Sequence, residues 1–434
     1  MSENIELFQE LDFLINSYKE LDQNPAFPNF QHQFFIPLEG EKVTHYFCGH
    51  SLGLQPKTVQ TFVNQELETW KKFGVDGHFS GKNPWFSYHK NLTPYLSLLT
   101  GSMEKEVVAM NSLTVNIHLL LASFFKPSIK KYKILIDTPS FSSDYYAITS
   151  QIKFHGLDVA DTLIELTPRT GEYILRTEDI LKTIEENKQD ITLIWMSGVN
   201  YLTGQFYDIK SITELAKNNG IYVGLDLAHA IGNVVLNLHD WGVDFATWCS
   251  YKYLNAGPGS VSGIYVHEKY SKHENFPNFK GWWGFDEKRR FEMLSDFIPQ
   301  EGAEAWQLSN PAILPMASLW ASLEIFKQAG IENLRKKSEK MSEMIFKGIA
   351  LINQKVPETG LQIITPDNEE ERGCQVSFKV TNNGRKFFDY LTYNKVIADW
   401  RTPDIIRIAP VPLYNTFEDI GAFLQLVYQY FNKP

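Results

Sequence analysis

Residues 220–259 read GIYVGLDLAHAIGNVVLNLHDWGVDFATWCSYKYLNAGPG, and their pattern predicts strand, turn, helix, strand, then a lysine in a loop of small residues. Ile221–Leu225 is an apolar run that ends on an acid, Asp226, with His229 three residues later. Phe245–Cys249 is a second apolar run, and it ends at Ser250, Tyr251 and Lys252. Two buried parallel strands would bring Asp226 and Lys252 to the same edge of a sheet. In open α/β sheets that edge, at the carboxyl ends of the strands, is where ligands bind. Most lysines at strand ends reach out to solvent, but Lys252 is followed by Asn255-Ala-Gly-Pro-Gly259. The pattern suits a Schiff-base lysine, with an acid placed to protonate a pyridine nitrogen.

Further blocks carry a family resemblance: Ser250-Tyr-Lys-Tyr-Leu-Asn-Ala-Gly257, Asp226-Leu-Ala-His229, Phe141-Ser-Ser-Asp144, Gly281-Trp-Trp-Gly284, Leu308-Ser-Asn-Pro311 and Arg407-Ile-Ala-Pro-Val-Pro-Leu-Tyr-Asn415. The chain resembles the fold-type-I enzymes that use pyridoxal 5′-phosphate (PLP), and among them the kynureninases. The blocks occur in the family's order from roughly residue 47 to the C-terminus. One such block is weak evidence; six in order are strong.

The chain of 434 residues has room for one large core or two domains. Its 43% hydrophobic and 14% aromatic content is that of a globular protein. A formal net charge of −10 leaves no basic excess to neutralise phosphates, which argues against a nucleic-acid partner. Cys48, Cys249 and Cys374 are sparse and odd in number, which suggests a reducing compartment. The N-terminus carries acids where a signal peptide is basic, and no apolar run is long enough to span a bilayer. A cytoplasmic protein without a membrane partner is the expectation.

Short apolar runs at 106–110, 132–136, 191–196, 221–225, 245–249 and 263–267 alternate with helical segments. That alternation predicts an α/β fold, a mostly parallel sheet with helices on both faces. A helix is expected over 4–20, from apolar spacing at Ile5, Leu7, Phe8, Leu11, Phe13 and Leu14. A long helical stretch from Ala312 to Gln354 leads to a smaller α+β domain. The domains expected are 1–55, an N-terminal segment packing with the small domain; 56–310, the large PLP-binding domain; and 311–434, the small C-terminal domain.

The site residues follow from the residues together with the resemblance. Lys252, Tyr251 and Asp226 are the catalytic candidates. Asp226 also reads as a helix N-cap after a strand; the resemblance places it against the pyridine nitrogen. His229, alone, reads as structural, and the resemblance implies a cofactor contact. No third ligand at metal spacing accompanies it, so no metal is expected. Ser112, Leu113 and Thr114 sit between a strand and a helix, where free N–H groups favour an anion such as the cofactor phosphate. The resemblance assigns Phe141, Ser142, Ser143, Asp144 and Ser197 to the cofactor, with the Phe141 ring stacked on it; Ser142 stands where many relatives have proline. It further implies that Tyr251 bonds the phosphate, and that Trp282 and Asn310 reach the cofactor of a partner subunit in a homodimer with shared active sites. Arg407 matches the family's clamp for the substrate α-carboxylate, a task that suits a planar guanidinium. His78, Ser309 and Asn310 match positions near the aromatic amine of the substrate.

The resemblance therefore implies hydrolysis of the Cβ–Cγ bond of L-kynurenine or 3-hydroxykynurenine, giving L-alanine and anthranilate or 3-hydroxyanthranilate. Within the fold the rivals are a class V aminotransferase and a cysteine desulfurase, the latter needing a mobile reactive cysteine, for which Cys374 is the candidate. A rival of another class is a non-catalytic PLP-fold binding or regulatory protein, which the joint presence of Lys252, Asp226 and Arg407 opposes.

Overall fold

Seven strands build the central sheet: β1 (Val107–Ala109), β2 (Lys133–Asp137), β3 (Leu163–Leu166), β4 (Ile191–Ser197), β5 (Tyr222–Asp226), β6 (Phe245–Trp248) and β7 (Gly263–Val266). Their order across the sheet is β1-β7-β6-β5-β4-β2-β3. The pairs from β6 to β3 are parallel, and β7 runs antiparallel to both of its neighbours. The carboxyl ends of β2, β4, β5 and β6 therefore share one edge. The computed structural model describes residues 2–40, 42–270, 276–356 and 359–432.

Because successive side chains of a strand point to opposite faces, a run apolar at every position must be covered on both. Ile134 and Ile136 of β2 pack with helix Leu113–Phe124 and with Phe245 on one face, while Leu135 joins the core on the other. That burial on both sides is why these strands read as continuous apolar runs rather than as alternating ones.

Three expectations change at the level of elements. The helix expected between β5 and β6 is only the four-residue Leu238–Trp241. Residues 227–236 instead form buried turns, with Gly232 at φ +73°. The stretch from Ala312 to Gln354 is two helices, Ile313–Ala329 and Ile331–Lys355, divided at Gly330, whose φ of +72° a helix does not allow. The first helix stays with the large core through Met316, Leu319 and Leu323; the second reaches the smaller core at Met341. In the N-terminal helix Ser2–Lys19, Leu11 and Ile15 are buried, whereas Phe13, expected on that face, is 77% exposed.

The smaller core lies on an antiparallel sheet in the order Leu361–Ile363, Val376–Val380, Ile405–Ile408, Asp399–Arg401. Helices Ile331–Lys355, Phe417–Phe431 and Ser2–Lys19 pack together over it. His45–Tyr46 pairs in parallel with Val396–Ile397, so both ends of the chain contribute to this region. Among the described residues no helix is long and apolar enough to cross a membrane.

Candidate active site

The carboxyl edge of the sheet opens into a pocket lined by residues at or just beyond the ends of four of its strands, among them Asp137, Ser197, Asp226 and Lys252. Lys252 is 9% exposed, and its Nζ lies 5.5 Å from the centroid of the Phe141 ring. Gly53 holds the lysine loop from behind: its N–H donates to the Tyr251 carbonyl at 2.8 Å, and a Cβ there would meet the Lys252 carbonyl oxygen at 2.3 Å.

Asp226 and Asp144 form a buried carboxyl pair at the base of the pocket. Burial raises both above the ordinary carboxylate range, Asp144 much further, because the charge of Asp226 adds to its burial. Lys252 and the N–H of Ala228, which donates to Asp226 Oδ1 at 2.7 Å, favour the ionised form of Asp226. These influences favour the protonated form at Asp144 and the ionised form at Asp226. Trp195 Nε1 donates to Asp144 Oδ1 at 3.0 Å and fixes its orientation. The bond from Ala228 is the local part of an N-cap, but no helix follows directly.

A third buried acid, Asp137, is absent from the candidates of the sequence. Its Oδ1 accepts the Ser197 N–H at 3.0 Å; its Oδ2 accepts the Ser197 hydroxyl at 2.5 Å, the Asn200 amide at 3.2 Å and the Tyr207 hydroxyl at 3.2 Å. Its signal was present: Ile-Leu-Ile-Asp137 is an apolar run ending on an acid, as Val-Gly-Leu-Asp226 is. Tyr201 was also missed; it packs edge-on to Phe141 at 5.3 Å between centroids.

Burial, with Lys252 and Arg407 nearby, pushes the pKa of His229 far down and keeps its ring neutral; its Nδ1 has no partner. His50, 6.3 Å from it between ring centroids, is held neutral in the same way, and both its nitrogens are unpartnered. Tyr251 keeps its hydroxyl proton, since burial and the neighbouring Cys249 raise its pKa.

The residues fit PLP. Ser112, Leu113 and Thr114 border the pocket at the start of the twelve-residue helix Leu113–Phe124, whose first-turn N–H groups have no side-chain cap. A phosphate suits such a helix start, an aromatic face lies over the lysine, and the carboxyl pair offers an ionised oxygen for a ring nitrogen. Ser143, Ser197, His229 and Tyr251 also line the cavity. Ser142 does not; it stands at the start of helix Ser142–Phe154 beside the site.

Arg407, on the smaller sheet, is 1% exposed and ties that sheet to the pocket. Its Nη1 donates to the Tyr201 carbonyl at 2.5 Å, and its Nε and Nη2 meet Asp399 Oδ2 at 2.7 and 2.6 Å.

Ser142 and Arg407 adjoin the pocket without lining it, and four further candidates lie away from it within one chain. Trp282 is 43% exposed, and His78, half-buried, packs edge-on to Trp85. Both belong to one surface aromatic group, joined through Phe79 and Phe291 at 5.7–6.3 Å between ring centroids. Ser309 and Asn310 are exposed and directly follow Leu308, on whose backbone Gly281 is closely packed.

Cys374, the thiol a desulfurase would need, is fully buried with its pKa pushed up to about 12 by burial. It is neither mobile nor nucleophilic there.

Comparison with known proteins agrees with this geometry. Residues 334–427 match the family described as "Kynureninase C-terminal domain", and residues 95–243 match the "DegT/DnrJ/EryC1/StrS aminotransferase family". A kynureninase of Koribacter versatilis is 48% identical over 94% of this chain and 95% of its own length. One of Flavobacterium psychrophilum is 44% identical over 94% and 96%. Among solved structures, a cysteine desulfurase of Thermococcus onnurineus superposes with a TM-score of 0.72 at 18% identity over 91% of this chain and 96% of its own. The cystine C-S lyase C-DES, in complex with cysteine persulfide, gives 0.73 at 18% identity over 89% and 98%. At that identity these two structures speak for the fold alone, which is the fold-type-I PLP architecture. The relatives, similar along nearly their whole length, decide the rest: the chain belongs to the kynureninase family of PLP-dependent hydrolases.

Proposed function

We propose that the pocket around Lys252 hydrolyses the Cβ–Cγ bond of L-kynurenine or 3-hydroxykynurenine, releasing L-alanine and anthranilate or 3-hydroxyanthranilate. The observation that carries this reading is the buried Lys252 set over Phe141 in one pocket with the buried Asp226 and Asp144. Bound PLP supplies an aldehyde for the amino group and an electron-withdrawing ring for charge that develops on the α-carbon. Lys252 Nζ takes the α-proton and is the group that returns it. Asp226, ionised because Asp144 carries the proton of the pair, holds the proton of the ring nitrogen. Leu113, Thr114 and the Tyr251 hydroxyl hold the phosphate, with Ser143, Ser197 and His229 around the ring. Tyr251, kept protonated by burial, is also the acid for the departing β-carbon. Water adds its hydroxyl to the γ-carbonyl carbon, and its proton restores the one Tyr251 gives up, so the β-carbon gains a single proton. Arg407 binds the substrate α-carboxylate.

The active unit is a homodimer in which Trp282 and Asn310 of one protomer reach the cofactor of the other, and His78 and Ser309 approach the aromatic amine. The exposed aromatic group around Trp282 and Phe291 supports this, since an apolar patch of that kind is covered in an assembly. Three unpaired thiols are consistent with work in the cytoplasm.

The test is product analysis with purified PLP-loaded protein and kynurenine. Anthranilate and alanine in equal amounts are expected. Keto acid formation without anthranilate would make the protein an aminotransferase and overturn the reading.

A further inference from the structure

Glu106, His239 and His267 come from three separate segments and meet at the edge of the sheet opposite to Lys252. Val107, which follows Glu106, pairs in register with Tyr265 near the end of β7, and His267 comes just after that end. His239 is on the short helix Leu238–Trp241. The Glu106 side chain is fully buried, while those of His239 and His267 remain 26% and 15% exposed.

One potential ligand atom from each of the three side chains lies within 4.8 Å of the others, close enough to converge on a single ion. His239 Nδ1 is 3.0 Å from Glu106 Oε1 and 3.1 Å from Oε2, and His267 Nδ1 is 3.6 Å from Oε1. A tetrahedral ion with bonds of roughly 2.0–2.2 Å to nitrogen and oxygen holds its donor atoms roughly 3.3 Å apart. The two imidazole centroids are 5.0 Å apart, the separation expected of rings that share one such ion.

The surroundings orient the donors. The N–H groups of Glu268 and Met103 donate to Glu106 Oε1 and Oε2 at 2.7 and 2.9 Å, which fixes the carboxylate plane. The Lys269 N–H donates to His267 Nδ1 at 3.2 Å, which places the ring proton on Nε2; an ion at Nδ1 takes that lone pair in place of this long hydrogen bond. The neighbouring ammonium groups are neutralised: Lys105 pairs with Glu268 at 2.7 Å and Lys269 with Asp244 at 2.6 Å. The partial exposure of both histidines leaves room for water in a fourth position.

We propose that Glu106, His239 and His267 form a binding site for one divalent transition-metal ion of zinc's class. The donor set, two imidazoles and a carboxylate with an open position, is one such ions accept. Binding releases the proton that now lies between His239 Nδ1 and Glu106. The ion sits behind the sheet, away from the pocket, and ties the start of β1, the end of β7 and the 238–241 helix together.

The test uses full-length, PLP-loaded protein dialysed against a chelator and titrated with cobalt(II), whose visible bands lie to the red of the cofactor's absorption. One cobalt per chain is expected, with the intense bands of a tetrahedral site, displaced by zinc. His239→Ala and His267→Ala, both at partly exposed positions, should each weaken cobalt binding about tenfold or more. Kynurenine turnover should stay within about twofold in both variants, since neither residue approaches the pocket. Absence of saturable cobalt uptake, or unchanged affinity in both variants, would overturn the proposal and leave a buried carboxylate partnered by histidine.

Discussion

The guanidinium of Arg407 and the carboxylate of Asp399 face each other across adjacent strands of the smaller sheet, in register, with Nη2 2.6 Å from Oδ2. The arginine proposed to bind a substrate carboxylate is thus aimed by a carboxylate of the protein. Burial lowers the pKa of Arg407, and Asp399 counters the cost of holding its charge away from water. Arg407→Lys should raise KM for kynurenine by roughly a hundredfold, since a lysine keeps the charge but loses the fork. The cofactor absorption should be unchanged. Asp399→Ala should raise KM less, about tenfold, with kcat little altered. An unchanged KM in Arg407→Lys would move the carboxylate site elsewhere.

Lys252→Ala should abolish turnover while still binding PLP without a covalent bond. Borohydride should fix the cofactor to the wild-type chain and not to the variant. Normal turnover in the variant would sink the proposed chemistry.

The carboxyl pair makes a sharper prediction. In Asp144→Asn the amide can still accept from Trp195 and donate to Asp226, so activity should stay within about tenfold of wild type. Asp226→Ala should lose roughly a hundredfold or more and bind PLP more weakly. Were Asp144→Asn as damaged as Asp226→Ala, the proton assignment within the pair would be wrong.

Shared sites predict complementation. Lys252→Ala chains mixed with chains carrying Trp282→Ala and Asn310→Ala should regain activity, because one pocket of each hybrid dimer is then intact. Sedimentation should show a dimer. A fully active monomer would refute the arrangement.

Lys337 gives a pH prediction away from the site. It is 1% exposed, and its Nζ donates to the carbonyls of Pro412 and Asn415 at 2.8 and 3.0 Å. Burial lowers its pKa from 10.5 to about 8. Between those values the unfolded chain binds the extra proton, so this group's contribution to stability rises with pH across that window and falls as pH drops towards 8. The gain is on the order of 1–3 kcal/mol. Lys337→Met should remove this increment from the pH dependence of unfolding. It should also lower stability by about 2 kcal/mol through the two bereft carbonyls. Parallel pH profiles for the two proteins would contradict the shift.

What was legible in the sequence was whatever a strand and its next few residues carry together. Asp226, His229, Tyr251 and Lys252 sit at strand ends, and apolar runs buried on both faces announce a parallel sheet. Asp137 bears the same signature, but only its contacts with Ser197, Asn200 and Tyr207 mark it as part of the site. The break at Gly330 lies inside unbroken helical periodicity, where a glycine in the left-handed region looks like any other residue. The Asp399 partner of Arg407 and the Glu106–His239–His267 cluster depend on distant segments meeting, which local pattern does not encode. His78, Trp282, Ser309 and Asn310 were named through resemblance, and within a single chain they remain on the surface.

The packing of helix Ser2–Lys19 on helices Ile331–Lys355 and Phe417–Phe431 has a consequence for synthesis. The central sheet has all its strands once residue 266 has left the ribosome, so its assembly can begin while translation continues. Helix Ser2–Lys19, made before the sheet, keeps its apolar face uncovered until helices Ile331–Lys355 and Phe417–Phe431 follow. A segment synthesised ahead of the sheet thus settles only after it.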